Sequence, residues 1–189
     1  GVYVPSVHGE VLRPIAQVHD RVLPAWAPII TADTELSNMH LVENARGCHR
    51  GCTFCVMRRS TNGGMRVVPA DRVLATIPDH AKRVGLVGAA TSDHPQILEI
   101  LGSIVDSGRE VGLSSLRADQ LNEEFVGLLA RGGARTLTVA SDGSSARMRK
   151  LARKGIKDRH LVRAAELDRK STRLNSRHRP ISESLIGIK

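Results

Sequence analysis

Aromatic residues and cysteines are both scarce in this sequence. Aromatic side chains make up 2% of the 189 residues, so a hydrophobic core has to be built from Val, Leu, Ile and Ala. With 41% hydrophobic residues the chain is still long enough to bury one sizeable core. Only three cysteines occur, and an odd number argues against a self-contained disulfide framework.

Long hydrophobic runs are also missing. No apolar stretch reaches the ~18 residues that a membrane helix needs. The first residues lack the charged start, apolar centre and cleavage site of a signal peptide. We therefore expect a cytoplasmic protein without a membrane partner, in a reducing setting that suits free thiols.

The net charge of +9 is unevenly distributed along the chain. Residues 145–189 carry 14 of the 28 Lys and Arg residues but only 4 of the 19 Asp and Glu residues, so the remainder is nearly neutral. We interpret the basic end as solvated helix faces followed by a tail, with a nucleic-acid surface as the alternative. Nucleic acid is therefore not the partner that we expect.

All three cysteines lie within the stretch CHRGCTFC, as Cys48, Cys52 and Cys55. Three thiolates this close indicate a metal site, and the first hypothesis is a [4Fe–4S] cluster, which usually takes four cysteines. With three, one iron lacks a protein ligand and is open to a substrate or cofactor. The alternative metal is zinc, which needs a histidine beside the three thiolates. The candidate histidines are His49, His40 and His80.

Strand-like and helix-like segments alternate four times along the chain. Strands are predicted at 38–44, 83–88, 110–116 and 135–140, and helices begin near 69, 95, 119, 145 and 157. Right-handed crossovers place such strands parallel, with the following loops gathered at their carboxyl ends. The predicted fold class is α/β: a partial, truncated (β/α) barrel with a parallel sheet and about four βα units.

We predict three regions in the chain. Residues 1–37 are a lead or linker segment from an upstream domain, since four prolines interrupt every periodic pattern there. Residues 38–168 form the partial barrel. Residues 169–189 are a basic tail, non-native or disordered, because a fifth strand is expected there and none is found.

The stretch CHRGCTFC, placed after the first strand, resembles the cysteine motif of the radical SAM superfamily. The resemblance implies that Cys48, Cys52 and Cys55 hold the cluster and that S-adenosylmethionine (SAM) binds its open iron. Reductive cleavage of SAM then yields methionine and a 5′-deoxyadenosyl radical, with an electron donor such as flavodoxin or ferredoxin. Phe54 takes the aromatic position, whose backbone lies beside the adenine.

The loop after the second strand extends this resemblance. Gly88, Ala89 and Ala90 stand where the family has a glycine-rich segment that receives the methionyl amino group. The family's glutamate is missing, so main-chain carbonyls, or Ser92 and Asp93, have to replace it. A plain turn is the alternative interpretation.

The third and fourth loops supply further candidate SAM ligands. Ser115 and Arg117 could hold the ribose or the carboxylate, because a guanidinium fork bonds both carboxylate oxygens. Asp142 stands where the family's glutamate contacts ribose. The alternatives are a capped helix start with a surface arginine and, for Asp142, a simple N-cap.

A narrower resemblance covers about residues 30–168. The segments GLVGAATSDHP and LSSLRAD are similar to bacterial radical SAM proteins that carry a cobalamin-binding domain upstream. Cobalamin is therefore a further expected cofactor, bound by a domain outside these residues, and the substrate is unknown. Two alternatives stay open: an RNA-modifying methyl- or methylthiotransferase of a related branch, and a non-catalytic interaction domain stabilised by zinc or a cluster.

Overall fold

Three parallel strands form the central sheet in the computed structural model of the protein, which describes residues 3–10, 18–57, 64–113 and 116–175. The strands of this part of the chain are β1 (His40–Glu43), β2 (Ala45–Gly47), β3 (Met65–Val67), β4 (Arg83–Val87) and β5 (Glu110–Leu113). The sheet has the order β1-β4-β5, and β2 pairs antiparallel with β3 in a separate ribbon. Because the sheet is parallel, the carboxyl ends of its strands share one edge.

Helices follow the strands as the alternating pattern predicts. They are α1 (Pro5–His8), α2 (Ala70–Leu74), α3 (Ile97–Asp106), α4 (Glu123–Arg131), α5 (Ala146–Leu151) and α6 (Asp158–Asn175), with short 3-10 turns at Asp20–Val22, Thr91–Asp93 and Ala118–Gln120. The α/β fold class with a parallel sheet is thus confirmed. Among the helices of these ranges, none is both long and apolar enough to cross a membrane.

Two helices begin later than the sequence predicts. Helix α3 begins at Ile97 and not near Pro95, because a 3-10 turn occupies the residues just before it. Helix α4 begins after Asn122, whose side-chain oxygen accepts a 2.8 Å hydrogen bond from the main-chain N–H of Phe125. This amide caps the helix, so Asp119 is left in a separate turn and is free for other contacts.

The core lies between the sheet and the helices that cross over it. Val84 and Leu86 of β4 are buried against Ile100 and Ile104 of α3, and Phe125 of α4 adds the one aromatic ring in this cluster. The aliphatic core expected from the composition is therefore what forms.

Glycines let a methionine pack closely on the other face of the sheet. Gly85 of β4 lies opposite Gly112 of β5, and Met39 lies across both. A Cβ at Gly85 would come within 2.6 Å of Met39 Sδ, and one at Gly112 within 2.9 Å of Met39 Cε. A side chain at either position would therefore displace the end of Met39.

Among the described residues, the predicted fourth strand forms a single bridge. Leu116 and Val139 form one parallel bridge, with a 2.8 Å hydrogen bond from the Leu116 N–H to the Thr138 carbonyl. The rest of 135–140 does not pair with β5. A recess of about 90 Å³, lined in part by Leu113, separates the two segments at this point.

The lead segment and the tail both contribute to the described structure. The backbone of 25–27 pairs antiparallel with β1, through hydrogen bonds of 2.9 Å from Ala27 N–H and 2.8 Å to the Ala25 carbonyl, and Leu23 is buried. Helix α6 continues to Asn175, inside the predicted tail, and residues 176–189 lie outside the described residues. The predicted division into linker, core and tail stays a prediction.

Buried His94 makes the stability of the fold sensitive to acid. Its Nε2 donates to the Val68 carbonyl at 2.8 Å and its Nδ1 accepts from the Gln96 N–H at 3.0 Å, so only the neutral ring satisfies both bonds. Burial lowers its pKa below the usual 6.5. Above that pH the ring is neutral in both the folded and the unfolded protein. Below it, the unfolded chain binds a proton at a higher pH than the folded protein does. We therefore expect the free energy of unfolding to fall as the pH drops.

The test compares His94→Gln with the wild type in urea unfolding between pH 5 and pH 8. We expect the variant to lose about 1–2 kcal/mol at the alkaline end but to show a shallower loss on acidification. Exposed His19 provides the control, and His19→Gln should follow the wild-type slope. An unchanged pH slope in His94→Gln would show that His94 does not carry the effect.

Candidate active site

The cysteine loop begins at the end of a two-stranded ribbon beside the carboxyl edge of the sheet. Ala45 lies opposite Val67 and Gly47 opposite Met65, so the loop between these strands is held at its base. Gly47 has φ 82°, a left-handed conformation that suits the entry into a tight loop. The sequence predicts no strand at Met65–Val67, although the β-branched pair after Gly64 was a usable signal.

The three cysteines are free thiols at the start of this loop. Cys48 and Cys52 are partly buried and Cys55 is exposed. The main-chain N–H of Arg50 lies 3.4 Å from Cys48 Sγ, and that of Cys55 donates to the Cys52 carbonyl at 3.3 Å. Within the described ranges, no three His, Cys, Asp or Glu side chains are arranged around one metal position. The donor set itself, three thiols without a disulfide, is chemically that of an iron–sulfur site with one open position.

Two arginines and two aspartates form a closed network beside this loop, which we call the charge quartet: Arg50, Asp93, Arg117 and Asp119. Arg50 binds Asp93 through both oxygens, with Nε at 3.0 Å and Nη2 at 2.7 Å. Arg117 Nη2 lies 3.0 Å from Asp119 Oδ2. The remaining pairs are longer, 3.6 Å from Arg50 to Asp119 and 4.0 Å from Arg117 to Asp93. Each arginine thus faces both carboxylates.

The quartet is shielded from water, which strengthens its charge pairing. The Asp93 side chain is 2% exposed, that of Arg117 11% and that of Asp119 14%. The hydrogen bond to Asp93 raises the pKa of Arg50. Burial by itself would raise the pKa of Asp119, but hydrogen bonding and attraction from Arg117, with a smaller effect of Arg50, lower it overall. Asp119 is therefore ionised at neutral pH.

The quartet connects the loops of the carboxyl edge to one another. Arg50 belongs to the cysteine loop, Asp93 follows β4, and Arg117 and Asp119 follow β5. Arg117 Nη2 also donates to the Lys154 carbonyl at 3.0 Å, and the Lys154 ammonium pairs with Asp142. The loop on either side of α5 is thereby connected to the same network.

A second contact holds the cysteine loop on the end of α5. The Thr53 N–H donates to the Ala152 carbonyl at 3.1 Å, and the Thr53 hydroxyl lies 3.4 Å from the Leu151 carbonyl. Phe54, at the predicted adenine position, is exposed next to this contact. The predicted location of the cysteine loop, beside the later loops, agrees with this geometry.

Gly88, Ala89 and Ala90 follow β4 at the same edge. A Cβ at Gly88 would approach the Ala45 carbonyl and the Asn44 side-chain oxygen to 2.9 Å each, so only glycine fits against the ribbon. Ala90 is buried. Whether these residues contact SAM stays a prediction.

The other predicted SAM ligands have protein partners or fall outside the structure. Arg117 is not the surface arginine of the alternative interpretation, and Asp142 lies at φ 51°, where it pairs with Lys154. Ser115 lies outside the described residues. Arg117 Nε and Asp119 Oδ1 are buried without a hydrogen-bond partner in the described part of the chain. One donor and one acceptor of this ion pair are thus left without a hydrogen bond.

Sequence reasoning missed the pairing of Arg50 with Asp93. The sequence predicts Asp93 as a replacement for a family glutamate, yet it lies in the 3-10 turn and binds Arg50. A signal was available, because the two residues have opposite charge and follow strands β1 and β4, which are neighbours in the sheet. The candidate zinc ligand His49 also faces Asp93, with Nε2 at 3.9 Å from Oδ2.

Comparison with known protein families gives one match over most of the chain. The family model of the Radical SAM superfamily matches residues 43–173. An uncharacterised protein of Methanocaldococcus jannaschii is 31% identical over 135 residues, which are 69% of this chain and 30% of that protein. The chain therefore spans about a third of the length of this relative.

Solved structures with a similar fold include two of the radical S-adenosylmethionine methyltransferase TsrM from Kitasatospora setae. One holds cobalamin and a [4Fe–4S] cluster, and the other holds a tryptophan substrate and the SAM analogue aza-SAM. Each has a TM-score of 0.59 and 17% identity, and the match covers 70% or 71% of this chain and 29% of that protein. At this identity the likeness concerns the fold.

The quartet should make a large contribution to stability. In Arg117→Ala, Asp119 and Asp93 lose a shielded cation, so we expect a loss of about 3 kcal/mol in the free energy of unfolding. The matched control is Arg131→Ala, which removes a 3.3 Å pair with Asp106 whose side chains are 59% and 68% exposed. That change should cost less than about 0.5 kcal/mol. Equal losses in urea unfolding would contradict the role of shielding.

Proposed function

The chain belongs to the radical SAM superfamily, and from this premise we propose that it is the core of an enzyme that binds a [4Fe–4S] cluster and cleaves SAM reductively. When bound, these groups supply a 5′-deoxyadenosyl radical for hydrogen abstraction from a substrate. The observation that carries the proposal is the location of Cys48, Cys52 and Cys55. They lie on the one loop that the quartet connects to the loops after β4 and β5.

The thiols and their surroundings fit the cluster. Three sulfurs leave one iron of a cluster without a protein thiolate. In the described residues, no three His, Cys, Asp or Glu side chains surround one metal position. Because the sulfurs do not yet surround a common point, we propose that the loop tightens when metal binds, as it does at many metal sites that form with their ligand. The Arg50 N–H lies near Cys48 Sγ, where it can donate a hydrogen bond to a sulfur that ligates the cluster.

The edge also offers partners for the polar groups of SAM. The open donor Arg117 Nε and the open acceptor Asp119 Oδ1 suit the carboxylate and amino groups of its methionyl part. Main-chain groups of 88–90 lie at the same edge of the sheet, and Phe54 is exposed in the cysteine loop. Asp142 has to leave Lys154 before it can bind the ribose hydroxyls.

Further features of the whole protein belong to the same proposal. We propose cobalamin as an additional cofactor, bound by a domain outside these residues, with support from the cobalamin bound to TsrM. An external electron donor such as flavodoxin or ferredoxin, and a cytoplasmic location, complete the proposal. The substrate is unassigned.

The RNA-modifying alternative finds less support at this edge. Nucleic-acid binding uses lysines and arginines that are free to contact phosphates. Here Arg50, Arg117 and Lys154 are each paired with a carboxylate. In the part of the chain that the structure describes, these three cations are therefore occupied and not free to bind phosphate groups.

Anaerobic reconstitution with iron and sulfide tests the cluster. We expect the wild type to gain the visible absorbance of a [4Fe–4S] cluster and Cys52→Ala to lose it, since two thiolates cannot hold it. His49→Ala is the matched control within the same loop and should retain the cluster. A chain that binds one zinc, and loses it in His49→Ala, would instead support the non-catalytic zinc domain.

A second test concerns Asp142 and SAM. If Asp142 binds the ribose, its pairing with Lys154 competes with SAM, so Lys154→Met should tighten SAM binding to the reconstituted chain and Asp142→Asn should weaken it. We expect about fivefold in each direction, the size of one hydrogen bond. Equilibrium dialysis with SAM measures both. Unchanged affinity in both variants would remove Asp142 from the site.

A further inference from the structure

We infer that Asp93 is a positioning residue for the cysteine loop, acting through Arg50 to hold a main-chain N–H at the sulfur of Cys48. The proposed function assigns Asp93 no contact with the cluster or with SAM. The expected effect on a bound cluster rests on the proposed function. The expected effect on the cysteine loop of the metal-free chain does not.

Arg50 joins the sulfur and the carboxylate in one residue. It lies between Cys48 and Cys52, and its main-chain N–H is 3.4 Å from Cys48 Sγ. Its guanidinium meets Asp93 with both Nε and Nη2. A two-point contact fixes the direction of the side chain and not only its distance. The side chain in turn restricts where its own N–H can point.

Asp93 is itself held firmly enough to serve as the fixed end. Its N–H donates to the Ala90 carbonyl at 2.9 Å, and its neighbours Thr91 and Ser92 are buried. The Thr91 hydroxyl lies 3.2 Å from the Asn44 side-chain oxygen, which connects the turn to the residue that follows β1. The carboxylate therefore belongs to the sheet edge, while the arginine belongs to the loop.

Charges facing Asp93 come from two loops. Arg50 and His49 approach from the cysteine loop, and Arg117 approaches from the loop after β5. Without the Asp93 carboxylate, Arg50 loses its two-point partner and keeps only the 3.6 Å contact with Asp119. We expect the cysteine loop to move away from the sheet edge, and the N–H near Cys48 to move with it.

Hydrogen bonds to cluster sulfurs influence both the retention and the reduction potential of a cluster. An N–H donor stabilises negative charge on sulfur, so its loss lowers the potential. The carboxylate of Asp93 thus acts on the sulfur indirectly, through the side chain and main chain of Arg50. This is a positioning role and requires no contact with the metal.

The experiment compares Arg50→Lys and Asp93→Asn with a matched control, Arg46→Lys. Arg46 also forms a two-point pair, at 2.6 Å to each oxygen of Glu43, and it lies two residues before Cys48. That pair joins β2 to the last residue of β1 and does not reach the later loops. Lysine keeps the charge of Arg50 but cannot bind both oxygens of Asp93 in the same way. Any effect of Arg50→Lys therefore comes from the lost two-point contact and not from a change of charge.

Two measurements separate the loop from the cluster. The first is hydrogen–deuterium exchange of the metal-free chain over residues 44–57. We expect faster exchange at 48–52 in Arg50→Lys and Asp93→Asn but not in Arg46→Lys. Equal exchange in all four proteins overturns the inference, whether or not a cluster ever binds.

The second measurement follows iron loss to a chelator and the reduction potential after reconstitution. We expect about 10- to 100-fold faster iron loss in Arg50→Lys and Asp93→Asn, the usual effect of losing a group that orients a ligand. Arg50→Lys should also lower the potential, because charge is unchanged and the sulfur hydrogen bond is lost. If the wild type takes up no cluster, the proposed function fails and the exchange result alone decides the role of Asp93. If all variants retain iron and potential as the wild type does, Asp93 has no role in the cluster.

Discussion

The pairing of two arginines with two aspartates at the carboxyl edge is the interaction on which the rest of the site depends. Bringing four charged side chains together out of water is costly, and only the mutual contacts of the quartet offset that cost. Arg50 and Asp93 belong to different loops, and so do Arg117 and Asp93. Either pair by itself would join only two of the three loops. Opposite charges at close range therefore bring three loops into one arrangement.

This arrangement leaves little free charge at the site. Lys154 and Asp142 neutralise each other, and so do the members of the quartet. The edge is thus prepared for a cofactor that brings its own charges, such as a zwitterionic amino acid group, and it offers few contacts for phosphates.

Much of the fold could be predicted from the sequence, because local patterns decide it. Apolar β-branched segments become β1, β4 and β5, and glycine-bounded amphipathic segments become α3 and α4. The ribbon of β2 and β3 was missed since three-residue strands have no periodicity to detect. The strand predicted at 135–140 formed only one bridge, because pairing along β5 depends on packing between the two segments, where a recess lies instead.

The sequence by itself determined the cysteine loop as the centre of the site. Three thiols within one short stretch are a local feature, and their spacing identifies the family before any coordinates are known. Only the tertiary structure decided which residues support that loop. Arg50 and Asp93 are 43 positions apart in sequence, and their opposite charges indicate a pair only once the strands before them are known to be neighbours in the sheet. Their contact exists because parallel strands bring successive loops to one edge, and the attraction between buried opposite charges then selects the pair.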